Sequence, residues 1–286
     1  MNNKKQLKRV AAIHDLSGFG KCSLTVALPI LSAAGIEVSA LPTAVLSTHT
    51  GGIPGYTYLD LTTEMEPILH HWESLHLHFD AIYTGFLGSF EQIRIVKEFF
   101  AVFKTEKNKI LVDPVMADNG ELYKIFTPAF AEGMKSLCRQ ADIIVPNLTE
   151  AALLLDEPYR PGPYTRAYIE ALLRKLSDLG PSQIVLTGVY FKDGELGTAS
   201  YDREAHATGY YFVSQIPGYY HGTGDVFASA LLAGLLNNFN LEEAAAKAVR
   251  FTADSILKTY ESKTDYRFGV NFEQSLPDFL KELKLV

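Results

Sequence analysis

The sequence predicts an α/β fold, a mostly parallel sheet with helices on both faces. Three observations lead there. Short strand-like runs alternate with longer helical patterns along most of the chain. Residues able to do chemistry collect directly after those runs, where ligands sit in open parallel sheets. The 286 residues are 47% hydrophobic, enough for one large core, so a single domain spanning 1–286 is expected.

Arg9–Ile13 reads as the first strand. Ser23–Ala34 reads as a helix ended by Gly35, which readily takes the left-handed capping conformation. Val38–Leu46 is strand-like, Leu61–His78 helical, Ala81–Tyr83 a strand and Phe90–Lys104 a helix. After the strand Ile110–Val112, Thr127-Pro128 opens a helix with a capping residue and a first-turn proline. The strand Asp142–Val145 is followed by helices at Thr149–Leu155 and Thr165–Leu179, then by the strand Gln183–Leu186. Val189–Val213 breaks the alternation. Its turn signal Asp193-Gly194 lies between strand-like runs, which predicts an antiparallel hairpin or meander at the sheet edge. Helical patterns close the chain at Val226–Leu236, Leu241–Thr259 and Phe272–Leu283.

The net charge of -7 argues against nucleic acid, whose phosphates need a local excess of Lys and Arg. The one dense basic cluster, Lys4, Lys5, Lys8 and Arg9, reads as a solvated terminus. Two distant cysteines, Cys22 and Cys138, fit a reducing compartment. There is no run of about 18 apolar residues and no signal-like start, so a cytoplasmic protein without a membrane partner is expected.

Two standard nucleotide motifs fail. Gly18-Phe19-Gly20-Lys21 resembles part of a phosphate-binding loop, but Asp15 and Cys22 stand where glycine and Ser or Thr are needed. Ser23 replaces the third glycine of a dinucleotide fingerprint. His70, His71, His76 and His78 lack the three- or four-residue spacing of a helical metal site and read as a surface helix.

Three motifs hold. Gly222-Thr223-Gly224-Asp225 precedes an apolar helix. Helix-terminal amides cradle phosphate oxygens, and Asp225 lies where it could take a proton from an attacking hydroxyl. Capping of the helix by Asp225 is the alternative. Asn147 and Glu150, three apart at a helix start, suit Mg²⁺ through oxygen ligands or, alternatively, a capping box. Asp113-Pro114 ends a strand, and Asp118, Gly120 and Tyr123 follow in a polar loop able to cover phosphates, or in an ordinary connection.

Taken in order, Thr84-Gly-Phe-Leu-Gly88, Asp113-Pro-Val-Met116, Pro146-Asn-Leu-Thr-Glu150, Val185-Leu-Thr-Gly188 and Gly222-Thr-Gly-Asp225 resemble the ribokinase superfamily, in its vitamin B6 kinase branch. Ser47-Thr-His-Thr-Gly51 is similar to that branch's substrate loop. The resemblance runs from about Val10 to Leu257 and implies a ribokinase-like three-layer α/β/α fold. It implies an ATP-dependent kinase acting on the 5′-hydroxymethyl group of pyridoxal, pyridoxamine or pyridoxine, with Mg²⁺, a monovalent cation as a further ligand, and a homodimer.

The resemblance also assigns roles. Asp225 would be the general base, and Gly222, Thr223 and Gly224 the anion hole. Asp113, Asn147, Glu150, Thr187, Gly188 and Thr223 would serve ATP, with Asp113 and Glu150 at the metal. Asp118 and Tyr123 would belong to the lid. Asp15, Ser17, Ser47, His49, Thr50 and Phe86 would meet the substrate. Asp15-Leu-Ser-Gly18 is closer to the Asp-x-Ser-Gly of hydroxymethylpyrimidine phosphate kinases, which makes a pyrimidine kinase of thiamine biosynthesis the alternative. A carboxylate there favours a ring NH⁺ or an amine, because a buried charge needs a partner. A non-catalytic nucleotide- or vitamer-binding protein is the reading from another class.

Overall fold

The computed structural model describes residues 7–286, so Lys4 and Lys5 lie outside the described residues. In chain order the strands are β1 (Lys8–Ser17), β2 (Ile36–Leu46), β3 (Tyr58–Asp60), β4 (Ala81–Thr84), β5 (Lys109–Val112), β6 (Ala117–Asp118), β7 (Glu121–Leu122), β8 (Ile143–Ile144), β9 (Gln183–Val189), β10 (Glu195–Asp202) and β11 (Ala207–Ser214). The helices are α1 (Leu24–Ala33), α2 (Thr62–Ser74), α3 (Phe90–Phe103), α4 (Pro128–Cys138), α5 (Leu148–Leu154), α6 (Arg166–Asp178), α7 (Thr223–Leu236), α8 (Leu241–Glu261) and α9 (Leu276–Glu282).

Nine strands form one sheet in the order β11-β10-β9-β8-β5-β4-β1-β2-β3. Neighbours from β9 across to β2 are parallel. β10 and β11 run antiparallel at one edge, as the Asp193-Gly194 turn implies, and β3 runs antiparallel at the other. The strand period of two explains the layers. Ile82, Ile110, Val112, Ile144, Ile184 and Leu186 point into the core under α2 to α6. Their neighbours Ala81, Tyr83, Leu111, Ile143, Val145 and Val185 point into the core under α1, α7, α8 and α9. Both faces are covered, so these strands are apolar throughout, each large side chain contributing about 1.5–3 kcal/mol. α7 is buried almost all round between the sheet, α1 and α8, which its unbroken apolar sequence requires.

Four sequence expectations need correcting. The helix expected over Leu61–His78 stops at Ser74, and His76 takes a left-handed backbone (φ 53°) that ends it. Phe272–Leu283 divides into a 3₁₀ turn at Phe272–Gln274 and α9, because Pro277 suits a first turn and not a helix interior. Lys8 and Arg9 are strand residues rather than a solvated terminus. Lys8 Nζ donates to the Leu236 carbonyl, and Arg9 Nε pairs with Glu37 at 2.8 Å. β3 is unanticipated; its three residues are too short to show a period. Among the described residues no helix is long and apolar enough to cross a membrane.

The core under α3 is aromatic. Phe99 is fully buried, and its ring centroid lies 4.5 Å from Phe103, 6.0 Å from Phe79 and 6.1 Å from Trp72. Phe99→Ala is expected to lower the unfolding free energy by about 3–5 kcal/mol, read from urea denaturation.

Candidate active site

The carboxyl ends of the parallel strands open into one cavity of ≈ 930 Å³. Every site residue expected from the sequence lines it except Ser47. Ser47 holds the loop that follows β2, its Oγ accepting from the Thr57 amide at 2.9 Å.

The N-terminus of α7 forms one wall. Gly222 is its N-cap, with φ 76°. A Cβ there would sit 2.2 Å from the Lys21 carbonyl oxygen, so only glycine fits. The first-turn amides at Thr223, Gly224 and Asp225 have no helical partner, and the space around Gly224 is open within 4 Å. Amides so placed at a helix N-terminus can cradle an anion. Asp225 stands in the same turn. Burial pushes its carboxyl up to about 7 and the Asp15 charge adds to this, while the Ser23 backbone amide opposes it.

Asp15 reaches the cavity through a bulge. His14 pairs with Pro42 and Leu16 with Val45, so Thr43 and Ala44 together face Asp15. The Asp15 carboxylate is buried, accepts from Ser17 Oγ at 2.8 Å and also accepts from Ser23 Oγ. Burial raises its pKa. Ser23 is the non-glycine N-cap of α1 at φ 56°, ψ -127°, a conformation costing about 1–3 kcal/mol. Its side chain serves Asp15 instead of capping α1. Behind the cavity, burial holds His14 neutral with a pKa of about 3. Gly85 makes room for that ring, since a Cβ would lie 2.2 Å from His14 Nδ1.

Asn147 and Glu150 form the capping box of α5. Asn147 Oδ1 accepts from the Thr149 and Glu150 amides, and Glu150 Oε2 accepts from the Asn147 amide. The same side chains hold the root of the next loop. Glu150 Oε1 accepts from the Met116 amide at 3.1 Å, and Asn147 Nδ2 donates to the Ala117 carbonyl at 2.8 Å. Burial raises Glu150 to about 8 against these donors. Asp113 is pushed well above the carboxylate range by burial and by the charges of Glu150 and Asp225.

Mg²⁺ fits this set. Buried carboxylates repel one another, and a cation relieves that repulsion. Among the described residues no cluster of three or more His, Cys, Asp or Glu forms a cage. Mg²⁺ bound through one or two carboxylates and substrate phosphates requires no such cage.

The polar loop after β5 is an ordered hairpin. β6 and β7 pair around Asn119-Gly120, with φ 51° and 85°, the signature of a type I′ turn. The Gly120 amide donates to Thr149 Oγ1 at 2.9 Å. Tyr123 follows, its phenol pushed up by burial and then by the Glu150 and Asp118 charges.

His49 lines the cavity with both nitrogens engaged. Nδ1 accepts from the Gly51 amide at 3.1 Å, and Nε2 donates to the Arg267 carbonyl at 2.6 Å. It therefore offers its ring surface to a ligand. Thr50 and Phe86 border the same space, and Phe86 packs 5.7 Å from Phe126. Thr187 and Gly188 lie near the carboxyl end of β9 and line the cavity, Thr187 also bridging to Asn147. Sequence reading missed Ser23, Tyr219 and His221. None belongs to a motif; only proximity to Cys22 or Gly222 along the chain marks them.

A parallel sheet whose strand ends gather a helix-terminal anion cradle, buried carboxylates and a covering hairpin defines a ribokinase-like kinase. The phosphomethylpyrimidine kinase family model matches residues 31–268, and the chain belongs to that family. Pyridoxal kinase from Lactobacillus plantarum is 33% identical, with a TM-score of 0.88 and coverage of 96% of this chain and 97% of the other. A Bacteroides thetaiotaomicron protein provisionally designated a phosphomethylpyrimidine kinase, in a crystal form with pyridoxal, is 41% identical; its TM-score is 0.92, with 96% of each chain covered. The pyridoxine/pyridoxal/pyridoxamine kinase of Bordetella avium is 28% identical over 87% of this chain and 85% of its own.

Gly222→Ala forces a methyl group against the Lys21 carbonyl. It is expected to weaken ATP binding at least about tenfold and to lower stability by about 1–3 kcal/mol. Calorimetric titration with a non-hydrolysable ATP analogue and thermal unfolding check both.

Proposed function

We propose that the protein transfers the γ-phosphoryl group of ATP to the 5′-hydroxymethyl group of a vitamin B6 vitamer, giving the 5′-phosphate and ADP. The observation that carries this reading is Asp225, a carboxylate with a pKa near 7 in the first turn of α7 beside free helix amides. In the reaction, Asp225 takes the hydroxymethyl proton as that oxygen attacks the γ-phosphorus. The bond to the β-phosphate oxygen breaks and ADP leaves. The amides of Thr223, Gly224 and Asp225 stabilise the charge on the transferring group. Asp113 and Glu150 would hold Mg²⁺, which would supply charge neutralisation to the phosphates. Asn147, Thr187 and Gly188 border the nucleotide side, and Val249, Ala253 and Ile256 give an apolar wall that suits a base. Asp118 and Tyr123 cover the phosphates. The two relatives at 41% and 33% identity, one in a form with pyridoxal and one a pyridoxal kinase, support a pyridine substrate.

Asp225→Asn is expected to reduce kcat at least about a hundredfold while ATP binding persists. Turnover near wild type would remove Asp225 from the role of base, and absence of turnover in the wild type itself would favour the reading as a binding protein. A base must be deprotonated to act, so kcat/KM is expected to rise with pH through about 7 in an acid limb. An initial-rate series from pH 5 to 9 measures it.

A second reading, phosphorylation of a hydroxymethylpyrimidine or its phosphate, is favoured by Asp15. No ion pair reaches its buried carboxylate among the described residues, so a ligand donor or cation is the natural partner. Asp15 is expected to favour amine-bearing or ring-protonated substrates. Comparing kcat/KM for pyridoxal, pyridoxamine, pyridoxine and hydroxymethylpyrimidine, in wild type and Asp15→Ser, separates the readings. An unchanged order of preference in Asp15→Ser would remove Asp15 from substrate choice.

A further inference from the structure

The lid hairpin is attached on two sides of the cavity by very different means. On the α5 side it is pinned by side chains of one capping motif. Glu150 accepts from Met116, Asn147 donates to Ala117, and Thr149 accepts from Gly120 at the tip. On the opposite side it meets the segment leading to the anion cradle through Tyr219, 101 residues away in sequence from its partner Asp118. The Tyr219 hydroxyl donates to Asp118 Oδ2 at 2.8 Å. The other carboxylate oxygen, Oδ1, accepts from the neighbouring Asn119 amide at 2.8 Å, so both oxygens are placed.

Tyr219 is also fixed from behind. Its ring stands edge-on to His221, with centroids 5.1 Å apart and planes at 84°. His221 directly precedes Gly222 and lies 5.0 Å from the His49 ring. It packs so closely on the substrate loop that a Cβ at Gly51 would come within 2.6 Å of its Nδ1. His49 is itself held by Gly51 and Arg267. Substrate loop, catalytic turn and lid are thus joined in one chain of contacts, whose last link is a single phenol hydrogen bond.

We propose that Tyr219 is a positioning residue that holds the lid hairpin against the catalytic turn and directs the phosphoryl group to the acceptor alcohol rather than to water. This rests on the kinase reading above. When the link is absent, the lid keeps its α5 anchors but opens on the Tyr219 side. Water then reaches the γ-phosphorus. Its oxygen forms the new P–O bond, the bond to the β-phosphate oxygen breaks, its proton goes to Asp225 or solvent, and ADP and inorganic phosphate result.

The test is the ratio of ADP formed to vitamer phosphate formed, measured at saturating ATP with pyridoxal and with pyridoxamine. Tyr219→Phe keeps the ring against His221 and removes only the hydroxyl. Asp118→Ala removes the acceptor. Asp118→Asn keeps one oxygen to accept from the Asn119 amide, and its Nδ2 can donate to the Tyr219 hydroxyl, which preserves the link. Wild type is expected near one ADP per phosphoester. Tyr219→Phe and Asp118→Ala are expected to raise the ratio about three- to tenfold, the net worth of one solvent-exposed hydrogen bond, and Asp118→Asn to hold it within about twofold of wild type. A structural role alone would lower turnover in proportion and leave the ratio unmoved. An unchanged ratio in Tyr219→Phe overturns the proposal, whatever its total rate. If Tyr219→Phe loses its unfolding transition, the ratio in Asp118→Ala against that in Asp118→Asn decides the same question. Failure of wild type to phosphorylate any vitamer or pyrimidine would instead refute the kinase reading.

Discussion

Four carboxylates, Asp15, Asp113, Glu150 and Asp225, converge on one cavity, and among the described residues none of them forms a salt bridge with a lysine or arginine, although Lys124 lines the same space. All four are pushed upward chiefly by burial. Such a group of acids is costly to assemble in a protein interior. The rest of the site manages that cost. Ser17 and Ser23 donate to Asp15, three backbone amides face Glu150, and the amide of Ser23 opposes the upward shift of Asp225. What these donors leave uncompensated is the site's affinity for cations and proton donors. A site of this sign suits a metal–nucleotide complex and an alcohol about to lose its proton.

The parallel sheet was legible because its strands are buried on both faces and separated by helices of clear period. The edges were not. β3 is three residues long, and its pairing to β2 depends on where the loop after Leu46 returns. The lid is a different case. Asn119-Gly120 is a strong hairpin signal, and reading the segment as an irregular loop overlooked turn chemistry that was present in the sequence. The order of the strand-end motifs brought most of the site together. Ser47 falls outside the cavity lining, its Oγ turned to the Thr57 amide, because loop membership does not tell which side chain turns inward. His221 and Tyr219 were missed because their surroundings come from segments far away in sequence.

Asn147 and Glu150 show why two readings of one motif need not compete. The capping-box geometry is present in full, and the same oxygens and amide fix Met116 and Ala117 beneath the lid. A helix cap at the end of a parallel strand is already at the ligand edge of the sheet. The residues that end one element therefore set the position of the loop that covers the cavity.

The bulge at Asp15 has a consequence for how such a scaffold diversifies. Asp15 sits on β1, whereas the phosphate cradle and Asp225 sit on α7, more than two hundred residues later. The extra residue in β2 shifts the β1–β2 register by one at Asp15, and the parallel pairing continues on both sides of it. A scaffold that exchanges this side chain would change one wall of the cavity and, because the Asp15 charge acts on Asp225, the carboxylate on α7 as well.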